Sequence, residues 1–156
     1  MRLRVIWVGK TRKGYAQDAV EHFQQRIKPL GELECVEIRA ASHSGRAPEA
    51  AIKAESDGIL KRLGTRDVAV LLDERGAQIS SPELAGMLDS AGMDDGGGLT
   101  FVLGGAYGVD ARVKQHAAKS ISLSRLTFPH QLARVILLEQ LYRALTLRAG
   151  HAYHRE

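Results

Sequence analysis

Three short segments in the last third of the chain carry the residue types that chemistry would need. The first is Gly104-Gly105-Ala106-Tyr107-Gly108, which follows directly on the apolar run 99–103. Glycines at such a place let backbone approach a ligand closely and tolerate positive φ. The same composition would also serve a plain tight turn. It is not a Walker loop, which needs Lys-Ser/Thr after its last glycine, nor a Gly-x-Gly-x-x-Gly fingerprint. An ATPase and a dinucleotide oxidoreductase are thereby disfavoured. The second segment is Leu123-Ser124-Arg125-Leu126-Thr127-Phe128-Pro129-His130, apolar where a loop is normally solvated and polar. Leu126 and Phe128 must therefore cover something. Either they lie on the core, or they sandwich a flat ligand such as an adenine ring. The third is the tail His151-Ala152-Tyr153-His154-Arg155-Glu156, with two imidazoles, a phenol and a guanidinium. His151 and His154 with His130 could be read as metal ligands, but no cysteine or ordered helix supports that set, and no metal is expected. A frayed terminus is the plainer alternative.

Groups so placed need a scaffold, and short apolar runs alternate with amphipathic ones along the whole chain. Residues 3–8 read as a strand and 15–28 as a helix stopped by Pro29. Residues 33–39 alternate as a strand does. Residues 48–63 have helical spacing and end at Gly64, a candidate C-terminal cap. The run 68–72 has the continuous aliphatic character of a buried parallel strand. Ser81-Pro82 reads as an N-cap with proline in the first turn, opening a helix to about Ala91. A glycine-rich turn at 94–98 precedes a strand at 99–103. Asp110 caps a helix to about Lys119, residues 121–123 form a last short strand, and 130–149 a last helix. Alternation of this kind implies an α/β fold, a mostly parallel sheet with helices on both faces, in a single domain of residues 1–156. Ligands in such sheets bind beyond the carboxyl ends of the strands, which directs attention to Leu72-Asp73, Leu103-Gly104 and Leu123-Ser124.

Composition narrows the class. The chain has 156 residues, 44% hydrophobic and 26% charged, with one cysteine, Cys35. It is long enough for one real core. A lone cysteine permits neither an intramolecular disulfide nor a thiolate metal cluster, which suits a reducing compartment. The apolar run at the N-terminus is too short for a signal peptide and no stretch approaches a membrane span, so a cytoplasmic protein is expected. The net charge of +4 is unevenly spread. Residues 1–66 hold 13 Lys/Arg against 8 Asp/Glu, residues 67–109 hold 1 against 7, and residues 110–156 hold 8 against 3. Basic segments gathered on one face would attract a polyanion such as RNA. Scattered solvated charge is the other reading. The helix at 130–149 carries Leu132, Val135, Ile136, Leu137, Leu138, Leu141, Leu145 and Leu147, apolar on more than one face, so a second subunit is expected against it.

Taken in order, Gly104-Gly105-Ala106-Tyr107-Gly108, the 123–131 segment, Glu139-Gln140-Leu141-Tyr142-Arg143-Ala144 and the terminal Ala152-Tyr153-His154-Arg155-Glu156 resemble the RlmH family of SPOUT methyltransferases. That family methylates N3 of a pseudouridine in large-subunit (23S) ribosomal RNA. The resemblance spans the chain in length and order; its specific part begins at Leu99, and the first 65 residues agree mainly in pattern. It implies an α/β fold with a C-terminal trefoil knot, which general topology rules would not suggest. It implies an S-adenosylmethionine site lined by Leu72, Gly104, Leu123, Ser124, Arg125, Leu126, Thr127 and Phe128. It further implies a homodimer in which one subunit's tail completes the other's site, and the assembled ribosome as substrate.

Methyl transfer from a sulfonium is mainly a matter of positioning an in-line nucleophile about 3 Å from the methyl carbon. The imide N3 of pseudouridine is a poor nucleophile while protonated, so a base should help. His130, His154 and Arg155 are the candidates, with Tyr153 as a stacking platform for a base. Arg125 and Arg143 could hold phosphates. Two other classes stay open: a non-catalytic ribosome- or RNA-binding protein on the same scaffold, and a nucleotide-binding regulatory protein.

Overall fold

Side chains of the first strand alternate between two destinations, and that alternation sets the layering. In β1 (Arg2–Val8), Leu3, Val5 and Trp7 belong to one buried cluster while Ile6 and Val8 belong to another. A computed structural model describes residues 2–42, 48–92 and 97–155, the side chains of His154 and Arg155 excepted. After β1 come α1 (Tyr15–Ile27), β2 (Glu32–Ile38), α2 (Pro48–Arg62), β3 (Val68–Gln78) and α3 (Ser81–Gly92). Then follow β4 (Gly98–Leu103), α4 (Ala111–His116), β5 (Lys119–Ser122), α5 (His130–Arg148) and a 3-10 turn, Ala152–Arg155. The strands form one five-stranded sheet in the order β2-β1-β4-β3-β5, and every neighbouring pair is parallel.

Helices cover both faces, as expected. On one face α1, α3 and α5 pack on Leu3, Val5, Trp7, Leu99, Phe101 and Leu103. On the other, Ile59 of α2 and Val113 of α4 pack on Ile6, Val8, Ile38, Leu71 and Val102. The chain leaves β3 towards the first face and β4 towards the second, so a crevice opens at their carboxyl ends, the place where such sheets bind ligands.

Several expectations need correction. β3 does not stop at Leu72 but runs to Gln78, and it meets β5 twice: Leu72 aligns with Ile121, and after a register shift Ala77 aligns with Ile121 again. Gly76 lies against the β5 backbone there, where a Cβ would come within 2.6 Å of the Ile121 carbonyl carbon. The short helix after Asp110 ends at His116, and Lys119 opens β5 rather than closing the helix. Ser80, not Ser81, caps α3. Its Oγ accepts from the Glu83 N–H (3.3 Å) while a Glu83 oxygen accepts from the Ser80 N–H (2.6 Å), a capping box. Gly64 is not a left-handed cap; its N–H donates to Asp67 Oδ2 at 3.0 Å. Of the turn expected at 94–98, residues 94–96 lie outside the described residues and Gly98 opens β4.

α5 also changes the argument for a partner. It packs against both α1 and α3 of its own chain, burying Leu137, Leu138, Leu141 and Leu145. Leu132, Val135, Ile136 and Leu147 of the same helix are only half-buried, so part of the apolar surface for which a second subunit was expected stays accessible.

Candidate functional site

Local sequence builds the two loops that frame the crevice. At the end of β4, Gly104 sits so close to Gly108 and Val109 that a Cβ would fall 3.0–3.3 Å from them. The Gly108 N–H donates to the Gly105 carbonyl at 3.0 Å, with Gly108 at φ 79°, so the turn needs glycine there. Helix α2 lies against both ends of this turn. The Glu55 carboxylate occupies the space a Gly105 Cβ would need, and the fully buried Ser56 Oγ accepts from the Asp110 N–H at 3.0 Å. Asp110 in turn caps α4, accepting from the Arg112 and Val113 N–H groups. After β5, the Ser122 hydroxyl donates to the Ser124 carbonyl (2.8 Å) and the Ser124 Oγ accepts from the Leu126 N–H (2.9 Å). These bonds bend the second loop back over the strand ends without help from another element.

Between the loops lies a cavity of about 500 Å³. Leu72, Gly104, Leu123, Ser124, Leu126, Thr127 and Phe128 line it, as does His130. Arg125, expected with them, does not; it is exposed. The cavity also has walls not assigned to a cofactor from sequence: Glu74 and Arg75 from β3 and Lys114, together with Asp73 and Tyr107, which lie in segments already singled out. The position of Asp73 directly after the apolar run 68–72 was the available signal. Leu126 is 75% exposed and Tyr107 54% exposed, two of the four large apolar side chains left uncovered among the described residues. Apolar groups concentrated at a cavity mouth mark a binding surface. Greasy walls for a flat ring, a backbone cradle at Gly104–Gly108 and carboxylates for a cation or for hydroxyls together suit a nucleoside joined to a sulfonium.

His130 stands on the rim at the start of α5. Partial desolvation of its ring, and then the positive charge of Arg134, hold its pKa below the ordinary value of 6.5, so the neutral ring predominates near pH 7. That is the form in which it can accept a proton. The remaining expected residues form a second group apart from the cavity lining. Tyr153 packs edge-on to Tyr142 (4.7 Å between rings), with the Arg26 and Arg143 guanidinium groups 5.2 and 5.0 Å from its ring centre. Its hydroxyl reaches Glu139 Oε1 at 3.3 Å, the oxygen that also accepts from Arg143 at 2.7 Å. Within its own chain the ring is thus already stacked, and Arg143 is ion-paired. The side chains of His154 and Arg155, and all of Glu156, lie outside the described residues. No cluster of three His, Cys, Asp or Glu side chains could hold a metal, and no helix is long and apolar enough to cross a membrane, among the described residues.

A family model described as "Predicted SPOUT methyltransferase" matches residues 1–154. The chain is 46% identical over 156 residues to the ribosomal RNA large subunit methyltransferase H of Geotalea daltonii, covering 99% of each chain. It is 38% identical over 159 residues to the protein of the same name from Acetivibrio thermocellus, covering 99% of this chain and 100% of that one. Among solved structures, a probable methyltransferase from Bordetella pertussis superposes with a TM-score of 0.61 at 17% identity, covering 92% of this chain and 94% of that one. At that identity the likeness concerns the fold alone.

Proposed function

The chain belongs to the SPOUT methyltransferase family, and from that premise we propose that it methylates N3 of a pseudouridine in 23S ribosomal RNA of the assembled large subunit. The observation that carries this reading is the cavity at the carboxyl ends of β3, β4 and β5, closed by the 104–108 and 123–128 loops. Full-length identity to proteins named for large-subunit rRNA methylation supports the substrate class.

S-adenosylmethionine, when bound, supplies an electrophilic methyl group on a sulfonium. Leu72, Leu123, Leu126 and Phe128 would hold its adenine, and the Gly104–Gly108 backbone would approach its chain without steric obstruction. Asp73 and Glu74 add negative charge where a cation is to sit. A ring nitrogen of the neutral His130 would take the N3 proton, leaving the nitrogen lone pair for the methyl carbon. His154 and Arg155 are proposed to complete the site on the RNA side, from the tail of a second subunit in a homodimer. β3 pairs with Ile121 of β5 at both Leu72 and Ala77 before Ser122 leads into the next loop, and this is where a trefoil knot would be tied. The whole chain would work as one domain, in the cytoplasm with its ribosomal substrate.

Titration calorimetry with S-adenosylmethionine, S-adenosylhomocysteine, ATP and GTP tests the cofactor. Binding of the first two alone is expected; failure of both would end the enzyme reading. Transfer of labelled methyl to ribosomes from a strain lacking the enzyme, but not to protein-free rRNA, tests the substrate. Equal labelling of free rRNA would contradict it.

A further inference from the structure

One basic segment stands outside the cavity and is used by nothing described above. Between β1 and α1 the chain reads Gly9-Lys10-Thr11-Arg12-Lys13-Gly14, three cations in four residues. All three are exposed, and among the described residues none of their charged groups has a carboxylate partner. Some cations elsewhere are neutralised: Arg4 by Glu34 and Asp67, Lys53 by Asp57, Arg112 by Asp57 and Asp110, Arg143 by Glu139, and Arg148 by Asp89. Glu37 meets the loop at its backbone, accepting from the Thr11 N–H at 3.1 Å.

An exposed loop of like charges would ordinarily be left loose, since ordering it costs conformational entropy and brings cations together. This one is fastened at many points. Gly9 (φ 85°) and Gly14 (φ 107°) turn the chain at either end, and the Gly9 N–H donates to the Ile38 carbonyl at 2.7 Å. The Gln131 side chain accepts from the Arg12 N–H (2.8 Å) and donates to the Lys10 carbonyl (3.2 Å). Arg134, only 2% exposed, donates to the Val8 carbonyl (2.6 Å) and to Thr11 Oγ1 (3.1 Å). Both clamps come from the first turns of α5, whose first residue, His130, lines the cavity. The loop is therefore a rigid row of unpaired cations one residue removed from the site of chemistry.

We propose that the 9–14 loop is a contact surface for the phosphate backbone of the RNA substrate, with Lys10, Arg12 and Lys13 positioning the target strand over the cavity. The proposal rests on the rRNA methyltransferase reading above and names a part of the substrate's grip. Phosphate contacts fix register without reading sequence, which is the task of a fixed cationic row beside a cavity that selects the base. They also release counterions, so binding should weaken with salt in proportion to their number.

The test compares the full-length protein with the variant Lys10→Gln/Arg12→Gln/Lys13→Gln by three measurements: cofactor titration, ribosome binding across salt concentrations, and methyl transfer. The expected result is ribosome Kd and KM raised about tenfold or more, with the slope of log Kd against log salt shallower by roughly two to three, since each lost phosphate contact removes about 0.7–0.9. Cofactor Kd and kcat at saturating ribosome should stay within twofold. The pair Lys61→Gln/Arg66→Gln, two exposed cations near the opposite end of the sheet, should leave ribosome Kd within twofold. Wild-type Kd and slope in the triple variant would overturn the proposal, as would an equal loss in the distal pair. Should the triple variant misfold by circular dichroism, Lys13→Glu alone is measured the same way and must weaken binding. If wild type binds ribosomes without methylating them, the enzyme reading falls while the binding arm still judges the loop.

Discussion

Replacing Gly76 by alanine tests whether β3 lies across β5, the contact that holds the second cavity loop in place. A Cβ at position 76 would meet the Ile121 carbonyl carbon at 2.6 Å, the Ile121 nitrogen at 2.7 Å and the Ser120 carbonyl carbon at 2.7 Å. Ordinary contact begins near 3.4 Å, so the methyl is about 0.8 Å too close to three atoms. All three are backbone, and no side chain can rotate to make room. Overpacking of this kind costs up to ~3 kcal/mol. The lower entropy of alanine in the unfolded chain gives back at most ~1 kcal/mol. A net loss of about 2 kcal/mol should lower Tm by roughly 4–8 °C in a chain of this size. Relief of the clash must move β5, and Ser122 leads straight into Leu123 and Ser124 of the cavity wall. Displacement of that size should weaken S-adenosylmethionine binding on the order of tenfold. Thermal melts followed by circular dichroism, together with calorimetry, read both effects. The matched control is Gly86→Ala in α3, where nothing lies within 4 Å. Removing a helical glycine there should be neutral or stabilise by up to ~1 kcal/mol. If Gly76→Ala melts with wild type and binds cofactor equally well, β3 does not cross β5 as described and the geometry of the second loop is wrong.

For His130, a folded-state pKa below 6.5 keeps the basic form available at lower pH than a free histidine would. The acid limb of kcat/KM should therefore lie below 6.5 and vanish in His130→Gln; an unchanged limb in that variant would assign the titration to another group. Arg134→Met keeps most of the side-chain volume but strips the Val8 carbonyl and Thr11 hydroxyl of a charged donor. Each such bond contributes about 1.5–3 kcal/mol, offset by the relief of burying a guanidinium, so a net loss of about 2 kcal/mol is expected in urea unfolding. Equal or greater stability would show that desolvation outweighs the bonds.

Much of the fold was legible in the chain because its signals are local. The two-residue alternation of β1, the continuous apolar runs of β3 and β4, the stop at Pro29 and the cap at Asp110 all depend on residues a few positions apart. The two loops that frame the cavity were legible for the same reason. Three glycines after a strand, and Leu126 with Phe128 in a loop, are departures from ordinary composition that a short window reveals. The Ser80 capping box was within such a window too, but Pro82 drew the reading one residue late.

Other features depend on pairs distant in sequence, and there the chain alone was silent. The order β2-β1-β4-β3-β5, the second meeting of β3 with β5 and the placing of Glu74 and Arg75 in the cavity follow from which surfaces pack best, not from any neighbouring residue. Arg134 is buried in α5 because Val8 and Thr11, 126 and 123 residues away, offer it oxygens. Tyr153 looked free to stack on a base, yet it lies among Tyr142, Arg26 and Arg143. Patterns along the chain determined which segments become strands, helices and ligand loops, since those depend on backbone preference and periodicity. Tertiary structure alone decided which side chains meet, because long-range packing and the need to satisfy buried polar groups are properties of the assembled core.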